Sequence, residues 1–224
     1  MPNDTLVIIP AYSASYTISE LIERLAKYVN QNDILVVDDG SKDDTGEIAK
    51  KLDIIVVAHD SNMGKGAALK TGFRYALNNG YKAVLTIDAD LQHDPDCVPR
   101  FLELGATDKY DLIVGVRQRS IDMPRHRIFS NFITSLIVSV FSGCRIRDSQ
   151  SGYRWIKTDA LRNLYLHGDR YDLESEILLK IGRMGRPVAE VDIPTIYGDK
   201  SQSHISLTTD TLRFIGLIWR SFFW

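Results

Sequence analysis

This sequence predicts an α/β fold with a mostly parallel central sheet, and three observations carry that prediction. Short runs of apolar, β-favouring residues recur along the chain, the stretches between them have the spacing of helices, and several of the runs end abruptly in carboxylates. Strands that are apolar throughout are covered on both faces, as in parallel sheets, and open α/β sheets bind ligands at the carboxyl edge of their strands. With 224 residues, 44% of them hydrophobic and 25% charged, the chain can bury one sizeable core, so a single domain is expected.

Leu6 to Ile9 reads as the first strand, stopped by Pro10. Thr17-Ile18-Ser19-Glu20 has the pattern of a capping box, opening a helix whose apolar face is Ile18, Leu21, Ile22, Leu25 and Val29. Ile34 to Val37 is the second strand and runs into Asp38-Asp39-Gly40-Ser41. A polar helix through Ile48 and Leu52 follows, then Ile54 to Ala58 as the third strand. Carboxylates at a strand end, such as Asp38 and Asp39, suit ribose hydroxyls or a base edge. Next, Asn62-Met63-Gly64-Lys65-Gly66-Ala67-Ala68-Leu69 is a glycine loop opening a helix, where Lys65 and backbone N–H groups suit a phosphate. The lysine spacing of a P-loop is absent.

The run from Ala83 to Ile87 is the strand on which the chain turns, because it delivers Asp88-Ala89-Asp90-Leu91-Gln92-His93 at its tip. Asp88 and Asp90, two residues apart on an extended chain, point the same way and offer hard oxygen ligands. Gln92 adds a neutral oxygen, and a divalent cation on these three residues suits a diphosphate. His93 shapes this loop, since carboxylate and amide oxygens are enough for magnesium, while manganese tolerates imidazole better. Further on, Leu112 to Val116 and Val188 to Ile193 are strands, the first of them ending at Arg117.

Charge and composition exclude several classes. A net charge of −2 argues against general nucleic-acid affinity. Cys97 and Cys144 have neither metal-ligand spacing nor a disulfide framework, so they read as reduced thiols in a cytoplasmic protein. The apolar run after Met1 is too short for a signal-peptide core and lacks a basic flank. Against this acidic balance, Arg117, Arg119, Arg125, Arg127, Arg145, Arg147 and Arg154 face only Asp122 and Asp148 in the same stretch, which points to an anionic partner, a phosphate or an anionic membrane surface. Asn131 to Phe141 is almost uniformly apolar yet too short to span a bilayer; core packing is the favoured reading and an interfacial helix the other. Thr208 to Trp224 crowds apolar and aromatic residues around Arg213 and Arg220, and reads either as a membrane-interface helix or as one packed on its own domain or on a partner subunit.

Pro10-Ala11-Tyr12, Asp38-Asp39-Gly40-Ser41, Gly64-Lys65-Gly66-Ala67-Ala68 and Asp88-Ala89-Asp90-Leu91-Gln92-His93, in this order and at these separations, resemble the nucleotide-sugar half of family 2 glycosyltransferases. Gly115-Val116-Arg117, Asp148-Ser149-Gln150-Ser151-Gly152-Tyr153-Arg154 and Glu190-Val191-Asp192-Ile193-Pro194 are similar to motifs of the polyprenyl-phosphate hexose synthases, the branch of dolichyl-phosphate mannose synthase. The resemblance spans about Leu6 to His204. It implies a single-domain nucleotide-diphospho-sugar transferase fold of the GT-A type over residues 1–206, with 207–224 as a C-terminal apolar helix and candidate membrane anchor.

The implied activity is metal-dependent, inverting transfer of a hexose from a donor of the GDP-mannose or UDP-glucose type to dolichyl or undecaprenyl phosphate, at the cytoplasmic face of a membrane. By the same resemblance, Pro10, Tyr12, Asp38 and Asp39 cradle the nucleoside, and Asp88, Asp90 and Gln92 hold the diphosphate and a magnesium or manganese ion. Arg117, then Arg125, are the residues best placed for the acceptor phosphate. Ser203 and His204 lie in a loop that resembles the family's closing loop and would touch phosphate. Asp148 matches an acidic position near the acceptor; it is either a general base for an alcohol acceptor, or a helix cap or salt-bridge partner of Arg147 or Arg154. One departure stands out: the family continues Pro-x-Tyr with Asn-Glu, where this chain has Ser13 and Ala14, which leaves the nucleotide open. The alternatives are transfer to a sugar hydroxyl with Asp148 as base, and a non-catalytic nucleotide-sugar-binding subunit.

Overall fold

The computed structural model describes residues 4–118, 125–196 and 207–224, with backbone alone for 125–127 and 207–210. Seven strands, β1 (Thr5–Ala11), β2 (Ile34–Asp38), β3 (Ile55–Ala58), β4 (Ala83–Thr86), β5 (Leu112–Arg117), β6 (Arg154–Lys157) and β7 (Val188–Ile193), form one sheet in the order β3-β2-β1-β4-β6-β5-β7. All run parallel except β6, which is antiparallel to both β4 and β5. The helices are α1 (Ile18–Leu25), α2 (Thr45–Lys51), α3 (Lys65–Asn78), α4 (Val98–Ala106), α5 (Arg125–Ser142), α6 (Thr158–Arg162), α7 (Asp172–Arg183) and α8 (Leu207–Ser221).

The side-chain alternation of strands divides the interior into two cores. From β1, Val7 and Ile9 pack with Leu21, Leu25 and Phe101 on one face, whereas Leu6 and Ile8 pack with Leu69, Phe73 and Ile177 on the other. Both faces are covered, as the continuous apolar runs predicted.

Two local expectations are corrected. Pro10 does not stop β1, which continues to Ala11. Pairing with β4 has already ended at Ile8, so the missing N–H of Pro10 removes no ladder bond on that side. Thr17 precedes α1 but makes no side-chain cap; its hydroxyl donates to the Ala89 carbonyl at 2.6 Å, tying the helix start to the loop after β4.

The apolar helix α5 is not simply a core helix. Its buried residues include Ser135, Val138 and Ser142, while Phe129, Phe132, Ile133, Leu136 and Val140 are exposed. Small residues bring it close to α7: a Cβ on Gly182 would lie 2.7 Å from the Ser142 Cβ. Because apolar side chains ring α5, seating one stripe leaves the others facing outward. Helix α8 does pack on its own domain, burying Leu217 and Ser221. Arg183 of α7 donates to the Ser221 and Phe141 carbonyls, stapling the ends of α8 and α5 together. Leu212, Ile215 and Trp219 of α8, and Phe223 just past its end, remain exposed. Among the described residues no helix is long and apolar enough to cross a membrane.

Candidate active site

A cleft of about 1840 Å³ opens at the carboxyl ends of β1, β4 and β5. Lys65 enters it from the first position of α3, just after Gly64, whose φ of +101° favours glycine. Its Nζ lies 2.6 Å from Asp88 Oδ1 and 2.8 Å from Glu174 Oε1. Burial pulls this ammonium down, but the two carboxylates outweigh it and hold the lysine well above its ordinary range. Burial pushes the Asp88 carboxyl up; Lys65 and then His93 outweigh that and hold it below the usual range. Gly152 closes the group from below, since any Cβ there would sit 2.7 Å from both Asp88 Oδ1 and Lys65 Nζ.

Asp90 is exposed and lines the cleft. Desolvation, then the charge of Asp88, raises its carboxyl above the usual range, and its Oδ1 accepts from the Gln92 N–H at 3.0 Å. The left-handed Leu91, with φ +59°, turns the chain so that Gln92 also lines the cleft. This loop is tied on a second side, where Ile196 N–H donates to the Gln92 carbonyl at 3.2 Å and His93 bridges to Thr195. His93 is buried, with Nδ1 3.9 Å from Asp88 Oδ2 and without a hydrogen bond, and burial drives its pKa down to about 4.

The residues fit a hard divalent cation. Asp88 and Asp90, whose charges repel, and Gln92 all line the cleft, and the raised Asp90 carboxyl marks unbalanced negative charge there. Among the described residues, no group of three or more His, Cys, Asp or Glu could by itself hold a metal. A fit therefore depends on the Gln92 oxygen, and Asp88 is already engaged by Lys65.

Across the cleft, Arg117 forms a two-pronged pair with Asp148, Nε to Oδ2 at 2.7 Å and Nη2 to Oδ1 at 2.9 Å. Asn131 of α5 also donates to Asp148 Oδ1, at 3.2 Å. Burial raises the Asp148 carboxyl, but the hydrogen bonds and charge of Arg117 outweigh it and hold it below the usual range. The expected pairing of Asp148 with Arg147 or Arg154 is thus replaced by Arg117. Arg147 instead pairs on the surface with Glu190 and Asp192, and Arg154 is buried, donating to the carbonyls of Ser149, Ser151 and Glu174. Among the described side chains of the arginine-rich stretch, Arg117 lines the cleft, whereas Arg145, Arg147 and Arg154 do not. The Arg125 side chain, Ser203 and His204 lie outside the described residues.

Near the ends of β1 and β2, Pro10, Tyr12 and Asp39 line the cleft, and Asp38 lines a neighbouring hollow of about 490 Å³ with Tyr12, Ser41 and His59. Asp39 accepts from His59 Nδ1 at 2.7 Å, Met63 N–H at 2.9 Å and Gly64 N–H at 2.7 Å, so its carboxylate braces the glycine loop. Asp38 Oδ1 accepts from the Ser41 N–H at 3.0 Å. Ser13 and Ala14 are pinned through their N–H groups by the hydroxyls of Ser41 and Thr45, at 2.9 and 2.8 Å.

The other half of the cleft is apolar, lined by Phe129, Ile133, Ile137 and Phe141 of α5 and by Phe214 and Ile218 of α8. Sequence reasoning missed Glu174, whose signal is an acid within the run of buried residues on α7 that includes Leu173, Ile177, Leu178 and Ile181. It also missed that α5 and α8 share one cleft with the carboxylates.

A strand edge with paired carboxylates, a lysine opening a helix and an antiparallel strand inserted in an otherwise parallel sheet fit the fold of GT-A type glycosyltransferases. The chain belongs to Glycosyl transferase family 2, whose profile matches residues 6–165. It is similar to a UDP-N-acetylglucosamine–dolichyl-phosphate N-acetylglucosaminyltransferase of Methanococcus voltae, 32% identical over 88% of this chain and 87% of that protein. It is also similar to an undecaprenyl-phosphate mannosyltransferase of Micrococcus luteus, 30% identical over 90% of this chain and 87% of that protein. Among solved structures, glucosyl-3-phosphoglycerate synthase of Mycobacterium tuberculosis in complex with UDP shares the fold, with a TM-score of 0.76 and 21% identity over 97% of this chain and 79% of that one.

Proposed function

We propose that this family 2 enzyme transfers a hexose from a nucleotide-diphosphate sugar to a polyprenyl phosphate, by single displacement with inversion and with a divalent cation. The observation that carries the proposal is the continuity of the cleft. Its polar half holds Lys65, Asp88, Asp90, Gln92 and Arg117, and its apolar half runs between α5 and α8, so one space suits both a diphosphate and a prenylated phosphate. The relatives named for dolichyl-phosphate and undecaprenyl-phosphate transfer support the acceptor class. The M. tuberculosis enzyme, crystallised with Mn2+ and UDP, supports the metal and the nucleotide.

In this reading Pro10, Tyr12 and Asp38 face the nucleoside, and Asp39 acts through the glycine loop it braces. Asp90 and Gln92, with Asp88, would hold magnesium or manganese, which when bound would supply positive charge for the leaving diphosphate. Lys65 supplies a further positive charge beside that group. Arg117 meets the acceptor phosphate, with Arg125, Ser203 and His204 as further candidates. A phosphate monoester, with a second pKa of about 6, is already anionic at neutral pH. Its oxygen attacks the anomeric carbon directly as the bond to the diphosphate breaks, so positioning replaces deprotonation.

The alternative, a sugar-hydroxyl acceptor with Asp148 as base, is disfavoured by the geometry. Both Asp148 oxygens accept from Arg117, the residue is buried, and its proton affinity is held below that of an ordinary carboxylate, which makes it a weak base. Asp148 is better read as the group that fixes the Arg117 guanidinium. The exposed apolar faces of α5 and α8 support peripheral docking at the cytoplasmic face of a membrane.

The test is transfer of labelled sugar from GDP-mannose, UDP-glucose and UDP-N-acetylglucosamine, each separately, into organic-extractable polyprenyl phosphate, with magnesium, manganese or chelator. Lipid-phase label from one donor, lost with chelator and carrying the inverted anomer by NMR, is expected. Nucleotide-sugar binding without lipid-phase label from any donor overturns the acceptor assignment.

A further inference from the structure

Glu176 is a fully buried carboxylate of α7 with no part in the proposed transfer reaction. Its Oε2 accepts from the Gly168 N–H at 2.8 Å and the His167 N–H at 3.0 Å, and Lys180 Nζ lies 2.8 Å from its Oε1. His167 Nδ1 is also within 3.3 Å of that oxygen. A buried anion fixed on two successive backbone N–H groups determines where the chain goes next.

From there the chain enters segment 169–172, which packs against the glycine loop. The Asp169 carbonyl accepts from the Ala67 N–H at 3.1 Å, and the Asp169 side chain pairs with Lys70. A Cβ on Gly64 would collide with the Asp169 carbonyl oxygen, and one on Gly66 would lie 2.6 Å from the Asp169 carbonyl carbon and 2.7 Å from the Arg170 oxygen. The Tyr171 ring stands 5.7 Å from Lys65 Nζ. The wall that limits where Lys65 can sit is therefore itself held by Glu176.

We infer that Glu176 is a positioning residue for donor binding: it anchors segment 167–172 against Gly64 and Gly66, and so sets Lys65 for the distal phosphate of a nucleoside diphosphate. The inference rests on the proposed donor class. It gives α7 two separate carboxylate roles, Glu174 paired with Lys65 directly and Glu176 acting through the backbone. An amide at position 176 offers one acceptor oxygen and turns an NH2 group toward the donors, which releases the segment.

The test is calorimetric titration of the full chain, with magnesium, using UDP against UMP and GDP against GMP. Loss of one charge-assisted phosphate contact predicts that Glu176→Gln weakens the diphosphate by about tenfold or more and leaves the monophosphate within about twofold. Gly66→Ala perturbs the same contact from the opposite side and is expected to give the same selective loss; it decides the matter if Glu176→Gln does not fold. In Lys65→Met, adding Glu176→Gln is expected to cost no further affinity. Equal weakening of mono- and diphosphates, unchanged binding of both, or full additivity with Lys65→Met overturns the inference. Wild-type protein that binds neither UDP nor GDP overturns the donor assignment itself, and this inference with it.

Discussion

His93 provides a pH-dependent test of how the carboxylate loop is built. Burial drives its pKa from 6.5 down to about 4, with the nearby charge of Asp88 opposing. The unfolded chain therefore takes up a proton near pH 6.5 while the native state resists until about pH 4. The contribution is fully present above the unfolded pKa and drains away as pH falls toward the folded one. At about 1.4 kcal/mol per unit, it amounts to about 3 kcal/mol in all, of which about 2 kcal/mol is lost between pH 7 and pH 5. Urea unfolding of wild type and His93→Gln at these two values, in chelator, isolates the term. The raised Asp90 carboxyl acts with the opposite sign but is present in both proteins, so the difference between them reports on His93. Wild type is expected to lose about 2 kcal/mol more than the variant on acidification. Equal losses, within about 0.5 kcal/mol, would refute the placement of a neutral imidazole behind Asp88.

Four further outcomes are expected. Asp90→Ala removes metal-stimulated nucleotide-sugar binding and turnover while leaving metal-free nucleoside monophosphate affinity unchanged, as read by calorimetry with and without chelator; unchanged metal stimulation would sink the ligand assignment. Arg117→Ala raises the apparent KM for polyprenyl phosphate by about tenfold to a hundredfold with a smaller change for the donor, and Asp148→Asn, which leaves the half-buried Arg117 guanidinium without its carboxylate, lowers stability by about 2 to 3 kcal/mol. A kcat collapse in Asp148→Asn with the acceptor KM and Tm intact would restore the general-base role. Replacing exposed Trp219 and Phe223 together by serine leaves stability within about 1 kcal/mol, since neither is in the core, but lowers partitioning onto anionic vesicles in a sedimentation assay; undiminished partitioning would move membrane contact away from α8.

Most of the parallel framework was legible because its strands are covered on both faces and read as continuous apolar runs. Ile34 to Val37 and Leu112 to Val116 fall within β2 and β5 on that account, whereas Val188 to Ile193, which forms β7 at the sheet edge, carries Glu190 and Asp192 between its apolar residues. The acids at strand ends were legible for the same reason, since an apolar run that stops at a carboxylate announces its edge. Other features depend on partners distant in sequence. Strand β6 has four residues beginning with a buried arginine, and nothing local distinguishes it from a loop. Asp148 could be foreseen as paired, but the choice of Arg117 over Arg147 or Arg154 is made by register across β5 and β6. The two-sided nature of α5 was hidden because its apolar residues form no single stripe, and only contact with α7 through Ser142 and Gly182 selects the buried side.

That short reversed strand explains why residues far apart in sequence share one site. A parallel strand brings its end to the carboxyl edge of the sheet, whereas an antiparallel strand brings its beginning there. Between β4 and β5, β6 starts at Arg154 opposite Thr86 and Val114, so the residues just before it must lie at the edge where Asp88 and Arg117 emerge. Thr86 Oγ1 donates to the Gly152 carbonyl at 2.7 Å and Gly115 N–H donates to that of Tyr153 at 2.8 Å, fixing the turn against both neighbours. With the turn held there, Gly152 has to be glycine because Lys65 and Asp88 meet above it, and Asp148 falls behind Arg117. Had β6 run parallel to its neighbours, the 148–153 segment would emerge at the opposite edge, and neither the glycine floor nor the arginine clamp would reach the cleft.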